Sequence, residues 1–145
     1  MERPPVLLYR LGNFFYRKKI FILGALLTWI NRLIFSTFLP SSASIGKNFK
    51  IGYLGLGTII HKNAKIGDNC TVAQNVTIGR NIGEKKVPVI GNNVYIGTGS
   101  VVFGEIIIGD NVIIGANSLV NKDIPSNKIA YGNPVKIVRD NTRKK

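Results

Sequence analysis

The sequence has very few of the residues that build disulfides and metal sites, with one cysteine and one histidine among 145 residues. A single cysteine excludes a disulfide framework and gives no reason to assign an oxidising compartment. Cys70 also occupies an inward position of the repeat described below, so we interpret it as a small buried core residue. One histidine cannot supply a metal site built from three imidazoles, and we expect no metal. The length is sufficient for one domain whose core is stable without cross-links.

Acidic residues are also scarce, because seven of them stand against 20 basic residues and leave a net charge of +13. Such a charge indicates an anionic partner, and the candidates are nucleic acid, anionic lipid and a phosphorylated small ligand. The basic residues are spread along the chain without a recognition helix or an aromatic RNA-binding signature. We therefore expect no nucleic-acid partner.

Residues 1–40 are predicted to form an apolar, basic and helical N-terminal arm. The apolar run from Ile20 to Leu39 approaches the length of a bilayer crossing, but Asn31 and Arg32 near its middle disfavour a span. We expect a helix that lies on a membrane surface or packs against the base of an oligomer. No cleavable signal peptide is evident, because the apolar run starts late and ends in proline.

The rest of the chain repeats an aliphatic residue at every sixth position, a period that fits neither a helix nor a one-faced strand. Its members are Ile45, Ile51, Ile60, Ile66, Val72, Ile78, Ile90, Ile96, Val102, Ile108, Ile114 and Val120. Hexapeptide repetition is typical of a parallel β-helix, in which three sides close one triangular coil of about eighteen residues. Glycine follows most of these residues, and we expect it to bend the chain at the corners.

A second inward position follows four places after each aliphatic residue and holds small or branched side chains. Its members are Ala64, Cys70, Val76, Val94, Ser100, Ile106, Val112 and Ser118. We assign residues 41–138 to an all-β solenoid and residues 139–145 to a basic tail. Residues 80–89 are predicted to leave the solenoid as a loop, because Glu84 would otherwise face the core unpaired. The turn-rich residues after Val120 are expected to cap the last coil.

His61 stands directly after Ile60, in the corner place that other repeats give to glycine. Steps of eighteen residues from His61 lead to Gly79, Gly97 and Gly115, so we expect an edge without side chains above the imidazole. One place further on, the same steps give Lys62, Arg80, Thr98, Ala116 and, at the end, Pro134. This pattern predicts a groove for a long thin ligand that ends at the imidazole. The alternative for His61 is a solvated corner residue.

Three segments of the sequence resemble the hexapeptide acyltransferases, and most closely the branch related to serine acetyltransferase that O-acetylates sugars. They read LGLGTIIHKNAKIGDNCTVAQNVTIG, VPVIGNNVYIGTGSVVFG and IGANSLVNKDIPSNKIAYGNPVKIV. The resemblance extends from Ser44 to Arg139. It implies a left-handed parallel β-helix and a homotrimer, with acetyl-CoA as co-substrate in the groove between neighbouring subunits.

The resemblance also implies roles for individual residues. His61 matches the catalytic histidine, which acts as general base on an acceptor hydroxyl. The residues implied for the coenzyme are Arg80, Gly97, Thr98, Gly115, Ala116, Lys136 and Arg139. For the last two, an ordinary solvated tail is the alternative interpretation. Tyr53 and Asn75 are the predicted contacts of the acceptor.

The acceptor is predicted from departures from the serine acetyltransferases, which have a long helical N-terminal domain, an acidic residue in a DIHP-type turn and a second histidine in the loop. Here the turn reads FLPS and the loop has no histidine. We therefore favour, as acceptor, a sugar hydroxyl in cell-surface polysaccharide biosynthesis (capsule, exopolysaccharide or lipopolysaccharide). We expect a cytoplasmic enzyme whose N-terminal arm contacts the inner face of the plasma membrane.

The sequence is compatible with two alternatives and excludes a third. The first alternative is serine O-acetylation, which makes O-acetylserine for cysteine biosynthesis. The second is a β-helix that serves as a scaffold without catalysis. The γ-type carbonic anhydrases share the β-helix, but their three histidine ligands are missing here.

Overall fold

The computed structural model describes residues 2–143, which form a β-solenoid of about four turns with two helices at the N-terminus. The helices are α1 (Pro4–Arg17) and α2 (Phe21–Phe35). The strands are β1 (Ser44–Ile45), β2 (Lys50–Ile51), β3 (Ile59–Ile60), β4 (Lys65–Ile66), β5 (Thr71–Val72), β6 (Thr77–Gly79), β7 (Val89–Ile90), β8 (Tyr95–Ile96), β9 (Val101–Phe103), β10 (Ile107–Ile108), β11 (Ile113–Ile114), β12 (Leu119–Val120), β13 (Lys128–Tyr131) and β14 (Lys136–Asp140). A 3-10 helix, Gly52–Gly55, lies between β2 and β3.

The strands stack into three sheets, one for each side of a triangular prism. Sheet 1 contains β1, β4, β7 and β10, sheet 2 contains β2, β5, β8, β11, β13 and β14, and sheet 3 contains β3, β6, β9 and β12. Neighbouring strands are parallel, except that β14 runs antiparallel to β13. We call the corner between sheets 1 and 2 corner A, that between sheets 2 and 3 corner B, and that between sheets 3 and 1 corner C.

The core of the prism consists of the two inward positions predicted from the repeat. All twelve aliphatic residues of the repeat and all eight residues of the second position are buried. Two of the latter are serines, and their hydroxyls remain satisfied because Ser100 Oγ and Ser118 Oγ both donate to the carbonyl oxygen of Gly115, at 2.9 and 2.7 Å. The six-residue period therefore indicated correctly which side chains face inward.

The bends of the chain depend on asparagine, and the expectation that glycine supplies them is wrong. The glycines after the aliphatic residues keep negative φ, whereas left-handed backbone occurs at Asn48, Asn69, Asn75, Asn93, Asn111, Asn117 and Asn127. Glycine is needed for a different reason. A Cβ on Gly67 would lie 2.6 Å from the carbonyl oxygen of Gly91, so its absence lets neighbouring coils approach closely.

The last coil continues beyond Val120, where the sequence predicted a turn-rich cap. Ile124 forms a parallel bridge with Ile108, and β13 then extends sheet 2 beside β11. Ile124 and Ala130 are both buried, so they provide two more inward residues that the repeat count did not include. The tail predicted for residues 139–145 begins inside β14, and its last two residues lie outside the described part of the chain.

Residues 80–88 connect β6 to β7 and contain no strand. Glu84 is half-buried beside corner C, where its Oε2 accepts a hydrogen bond of 2.9 Å from the backbone amide of Glu105. Lys86 forms an ion pair with the carboxylate of Glu105. These contacts attach the loop to the outside of the prism.

The first coil is covered by α1. Tyr9 Oη donates to the carbonyl oxygen of Ala43 at 2.7 Å and accepts from the amide of Ile45 at 3.2 Å. Arg10 donates from its guanidinium to the carbonyl oxygens of Ile45 and Gly46. Because β1 is an edge strand, these bonds satisfy polar groups that would otherwise have no partner in the next coil.

The second helix packs against the first through small and polar residues. A Cβ on Gly24 would lie 3.2 Å from the carbonyl oxygen of Gly12, and Asn31, which is fully buried, donates to the carbonyl oxygen of Pro5 at 2.8 Å. The helix ends at Phe35, and Phe38 already pairs with Ile59 of sheet 3. Within residues 2–143, no helix combines the length and the apolarity required to traverse a bilayer.

The left-handed asparagines provide a first prediction. Asn93 has φ 56°, and within residues 2–143 its side chain forms no hydrogen bond that would complicate the result. We expect Asn93→Ala to lower the free energy of unfolding by about 1–2 kcal/mol, because a residue with a Cβ and no polar end is strained at this φ. Asn93→Gly is the matched control and should change it little. Urea unfolding at one protein concentration measures the free energy of unfolding of both variants. Equal losses of stability in the two variants would contradict the role assigned to the left-handed backbone at Asn93.

Candidate functional site

His61 lies at corner C, directly after β3. Its backbone amide donates to the carbonyl oxygen of Ile78 in the next coil at 2.8 Å, which fixes the residue to the solenoid. The imidazole is half-buried, and its Nδ1 accepts a hydrogen bond of 3.1 Å from the backbone amide of Asn63. A neutral ring that accepts at Nδ1 carries its proton on Nε2. In the described residues no carboxylate forms an ion pair with this histidine.

The surroundings of His61 favour the neutral ring. Burial, followed by the positive charges of Arg80 and Lys62, holds the pKa of His61 below its usual value of 6.5. Arg80 follows β6 directly, so it occupies corner C one coil away from Lys62. The imidazole is therefore available as an uncharged group at neutral pH.

The side-chain-free edge predicted above His61 is not present in the chain, and this prediction is wrong. Gly79 does follow His61 at corner C, since Ile60 pairs with Ile78. The next residue at this corner is Phe103, which pairs with Gly79. Gly97 and Gly115 lie elsewhere.

The error has a simple geometric cause. Ile78 pairs with Val102, which is 24 residues later, whereas Ile60 and Ile78 are 18 apart. The additional six residues belong to the loop of residues 80–88, which is outside the prism. Counting them as part of a coil moved every later position to the wrong corner.

Gly97 and Gly115 lie at corner B, at the other end of sheet 3. Successive coils place Gly52, Ala73, Gly97, Gly115 and Tyr131 above one another there, because the residues before them are paired strand to strand. We call these five residues the corner B column. Four of its five members are glycine or alanine, so we interpret this edge of the prism as a shallow channel with few projecting side chains, and a cavity of about 460 Å³ lies at its first coils.

Four further predicted residues lie at corner B beside this column. Thr98 and Ala116 follow its glycines directly, and Thr98 Oγ1 donates to the carbonyl oxygen of Gln74 at 2.9 Å. Tyr53 is exposed on the 3-10 helix after Gly52, and Asn75 is exposed after Ala73 and Gln74. The structure thus brings together six predicted residues, and it separates them from His61 and Arg80.

The two predicted cations near the C-terminus lie on β14. Lys136 pairs with Tyr131, the last residue of the corner B column, and Arg139 pairs with Ile129. Both side chains are exposed. Lys136 therefore places a positive charge at one end of the channel.

Two features of corner B were not predicted from the sequence. Tyr53 and Leu54 are consecutive residues with left-handed backbone, at φ 44° and 56°. Strained backbone of this kind occurs often at functional sites. Tyr131 was not assigned to corner B from the sequence. A correct count of the coils would have placed it there, because it directly follows the inward residue Ala130.

A concavity of about 740 Å³ lies at corner A and contains neither set of predicted residues. Its walls include Asn48, Asn69 and Asn93, the asparagines that hold left-handed turns. Their role in the turns explains these residues without a ligand. The candidate site therefore remains divided between corners B and C.

Comparison with known proteins identifies the family. The pattern described as "Bacterial transferase hexapeptide (six repeats)" matches residues 88–122. The serine acetyltransferase of Bacillus pumilus (strain SAFR-032) is 35% identical over 94% of this chain and 63% of its own length. That of Helicobacter pylori (strain ATCC 700392 / 26695) is 33% identical over 92% of this chain and 78% of its own length. The chain belongs to the hexapeptide-repeat acyltransferases of the serine acetyltransferase-like type.

A solved structure agrees with this assignment. Serine acetyltransferase from Brucella abortus strain S19 in complex with coenzyme A superposes with a TM-score of 0.89 at 26% identity, over 93% of this chain and 54% of that one. This chain thus spans only about half of the matched structure, and it spans less than two thirds of the Bacillus relative.

The two glycines beside the site provide a second prediction. A Cβ on Gly97 would lie 2.6 Å from the amide nitrogen of Ala116 and 2.8 Å from the carbonyl carbon of Gly115, whereas one on Gly79 would meet only Thr77 Cγ2, at 4.0 Å. We expect Gly97→Ala to lower the free energy of unfolding by about 1–3 kcal/mol. Gly79→Ala is the control, with a change of about 0.5 kcal/mol or less. Urea unfolding checks this, and a larger loss in the control would contradict the packing described here.

Proposed function

We propose that this protein transfers an acetyl group from acetyl-CoA to the hydroxyl of serine and forms O-acetylserine. The relatives named above are serine acetyltransferases, and one of them is a complex with coenzyme A. The observation that carries the proposal in this chain is the corner B column, whose small residues leave a channel that ends at Lys136. A long, narrow ligand with a phosphorylated end fits such a channel.

In this proposal the coenzyme lies along corner B. Gly97 and Gly115 let successive coils approach each other at this edge, and Thr98 and Ala116 form the wall of the channel beside the pantetheine arm. Lys136 and Arg139 on β14 bind the phosphates through charge-assisted hydrogen bonds. Tyr53 and Asn75, which lie at the same corner, contact the acceptor.

The site requires more than one copy of the chain, because His61 and the corner B column lie at opposite ends of sheet 3. We infer a homotrimer in which sheet 3 of each copy faces the threefold axis, so that corner C of one copy meets corner B of the next. Arg80 then approaches the neighbour's channel together with His61. We also infer that the coils wind left-handed, as in the enzymes that the sequence resembles, against the usual crossover rule.

The outward side chains of sheet 3 support this arrangement. They are Ile59, Thr77, Val101 and Leu119, none of which is charged. Sheets 1 and 2 present Lys65 and Lys50 at the matching positions. Charged residues are depleted at the cores of subunit interfaces, which favours sheet 3 as the buried side.

His61 acts as general base in the proposed reaction. The serine oxygen attacks the thioester carbonyl while the imidazole accepts the hydroxyl proton, and backbone amides at a glycine-rich corner stabilise the oxyanion. Collapse of the tetrahedral intermediate breaks the carbon–sulfur bond, and the imidazolium returns the proton to the departing thiolate. For Nε2 to accept the proton, the ring must release the amide of Asn63 and move its own proton to Nδ1.

A sugar hydroxyl is the second candidate acceptor, and the FLPS turn favours it. The acidic residue typical of serine acetyltransferases is missing there, and the turn is occupied by the N-terminal arm. Leu39 is fully buried, and Ser41 Oγ donates to the carbonyl oxygen of Gly24 at 2.6 Å. This turn therefore has no carboxylate with which to bind the amine of serine.

An acceptor screen distinguishes the two candidates and is the third prediction. Labelled acetyl-CoA is incubated with serine, nucleotide sugars and oligosaccharides, and transfer is measured as labelled ester and released thiol. We expect transfer to serine to have the highest kcat/KM. A preference for a sugar would replace serine by the second candidate, and the absence of coenzyme binding to the full chain would instead support a scaffold without catalysis.

The base assignment gives the fourth prediction. We expect His61→Ala to lower kcat by roughly 10²- to 10⁴-fold, the usual contribution of a general base. Coenzyme binding and oligomeric state should change little, since the proposal assigns the coenzyme to corner B and the subunit contact to the outward residues of sheet 3, and neither to the imidazole. Lys65→Ala, an exposed substitution on sheet 1, is the control. Turnover retained in His61→Ala would refute the role of this histidine.

The pH dependence of the rate gives the fifth prediction. A base acts when it is unprotonated, so activity should fall as the pH drops through the pKa of His61, which lies below 6.5. Arg80→Gln removes a positive charge that lowers this pKa and should move the acidic limb of kcat to higher pH. Lys65→Gln is the control, because it removes the same charge at a lysine that is not among the causes of the lowered pKa of His61. An acidic limb that is the same in all three proteins would contradict the electrostatic coupling.

A further inference from the structure

The helices of the N-terminal arm carry apolar side chains on the sides that face away from their packed surfaces. On α2 these are Ile22, Leu26, Trp29 and Leu33, and on α1 they are Leu7, Leu11 and Phe14, all of them exposed. We call these seven residues the arm face. The spacing of three and four residues aligns them on one side of each helix.

The arm face lies opposite the buried side of the same helices. The buried residues of α2 are Gly24, Thr28 and Asn31, and those of α1 include Tyr9 and Gly12. At about 100° per residue, each exposed row is roughly half a turn away from the buried row of its helix. The fold of a single chain therefore leaves the arm face without a partner, although its residues have the composition of a core.

The charge around the arm face indicates what covers it. Residues 2–40 contain six basic residues and one acidic residue, Glu2, which forms an ion pair with Arg10. Arg17, Lys18 and Lys19 lie together at the turn between the helices, whereas Arg3 and Arg32 are exposed at the opposite end of the helix pair, where Asn31 contacts Pro5. Positive charge at both ends of the arm complements an anionic surface.

A second copy of the chain is a poorer match for this surface. A symmetric contact between two arm faces would bring the basic turn of one copy near either the turn or the opposite end of the other copy. Both ends carry positive charge, and unscreened like charges oppose such an interface. An anionic bilayer offers both a hydrocarbon layer and negative headgroups. We propose that the arm face binds the surface of an anionic membrane, with α1 and α2 lying along it.

The aromatic residues of the arm support this orientation. Trp29, Tyr16 and Phe21 are exposed at the rim of a cavity of about 390 Å³ between α2 and the first coil. Tryptophan and tyrosine are the residues that favour the headgroup level of a bilayer. Lys62 of corner C lines the same cavity, so docking would bring corner C close to the headgroups.

Trp29 is the only tryptophan of the chain, which makes its fluorescence a direct measure of the contact. In the free chain its side chain is more than half exposed. The full chain is titrated with vesicles of phosphatidylcholine alone and with vesicles of an equimolar mixture of phosphatidylcholine and phosphatidylglycerol. We expect a blue shift of the emission with the anionic vesicles only, together with flotation of the protein, and loss of both at high salt.

Two double variants separate the apolar and the charged contributions. Ile22→Glu with Leu33→Glu should abolish flotation, and both positions are at least 78% exposed, so the fold does not depend on them. Ile82→Glu, at a residue 99% exposed in the loop of residues 80–88, is the control for adding a carboxylate. Lys18→Glu with Lys19→Glu should weaken binding by more than about 25-fold, since each basic residue near such a surface contributes about fivefold. Lys47→Glu with Lys65→Glu, both exposed on the coils, matches the change in net charge.

Three outcomes would overturn the proposal. Equal binding to both vesicle types would remove the role of charge, and flotation retained in the Ile22→Glu with Leu33→Glu variant would remove the arm face. A Trp29 emission that is already blue-shifted without lipid, that depends on protein concentration and that vesicles do not change would assign the arm face to a contact between copies. None of these results depends on acetyl transfer, so the proposed function stands or fails separately.

Discussion

Each coil of this solenoid depends on its neighbour, because the strands are too short to be stable alone. Most contain two residues, and their amides donate to carbonyl oxygens one coil further on, as Thr71 does to Val94 and Tyr95 to Val112. The inward aliphatic residues are likewise covered only when the coils stack. This ladder leaves unpaired groups at its two ends. Tyr9 and Arg10 of α1 satisfy them at the first coil, and the β13–β14 hairpin continues sheet 2 at the last. The N-terminal arm is therefore part of what keeps the solenoid closed, and its outer side is free for another role.

The sequence predicted the direction of side chains well and their vertical alignment poorly. Whether a residue faces the core depends on spacing within six residues, so the buried state of Ile60, Val72 and the other repeat members could be predicted locally. Which residue lies above His61 depends instead on how many residues stay inside the prism. The loop of residues 80–88 lies outside the prism, and no local sequence pattern indicates how many of its residues must be left out of the coil count. The expectation that glycine bends the chain at the corners was wrong because asparagine, which holds these bends, also tolerates left-handed backbone. The hydrogen bonds of Tyr9 span 34 and 36 residues and have no short-range signal in the sequence.

The division of the candidate site between two corners changes the meaning of the resemblance to known enzymes. In one chain, the imidazole of His61 and the channel at corner B lie at opposite ends of sheet 3. A trimer that buries sheet 3 would join them, and the uncharged outward residues of that sheet favour such a contact. Under the proposed function, catalysis and assembly are then one property, because a separated subunit contains every residue of the site but no complete site. Burial and then the positive charges around His61 lower the pKa of the ring, and under the proposed function the same charges would attract an anionic ligand to this corner.

The loop of residues 80–88 has a consequence for how such a protein can change over evolutionary time. One hexapeptide gained or lost within the prism would rotate all subsequent residues by a third of a revolution and bring each to a foreign face. The loop is exempt from this constraint, because β7 resumes on sheet 1 however many residues precede it outside. The length of this loop, which lies at corner C beside His61, can thus vary without changing the alignment of the coils. New specificities can arise there while every coil residue keeps its position on the prism.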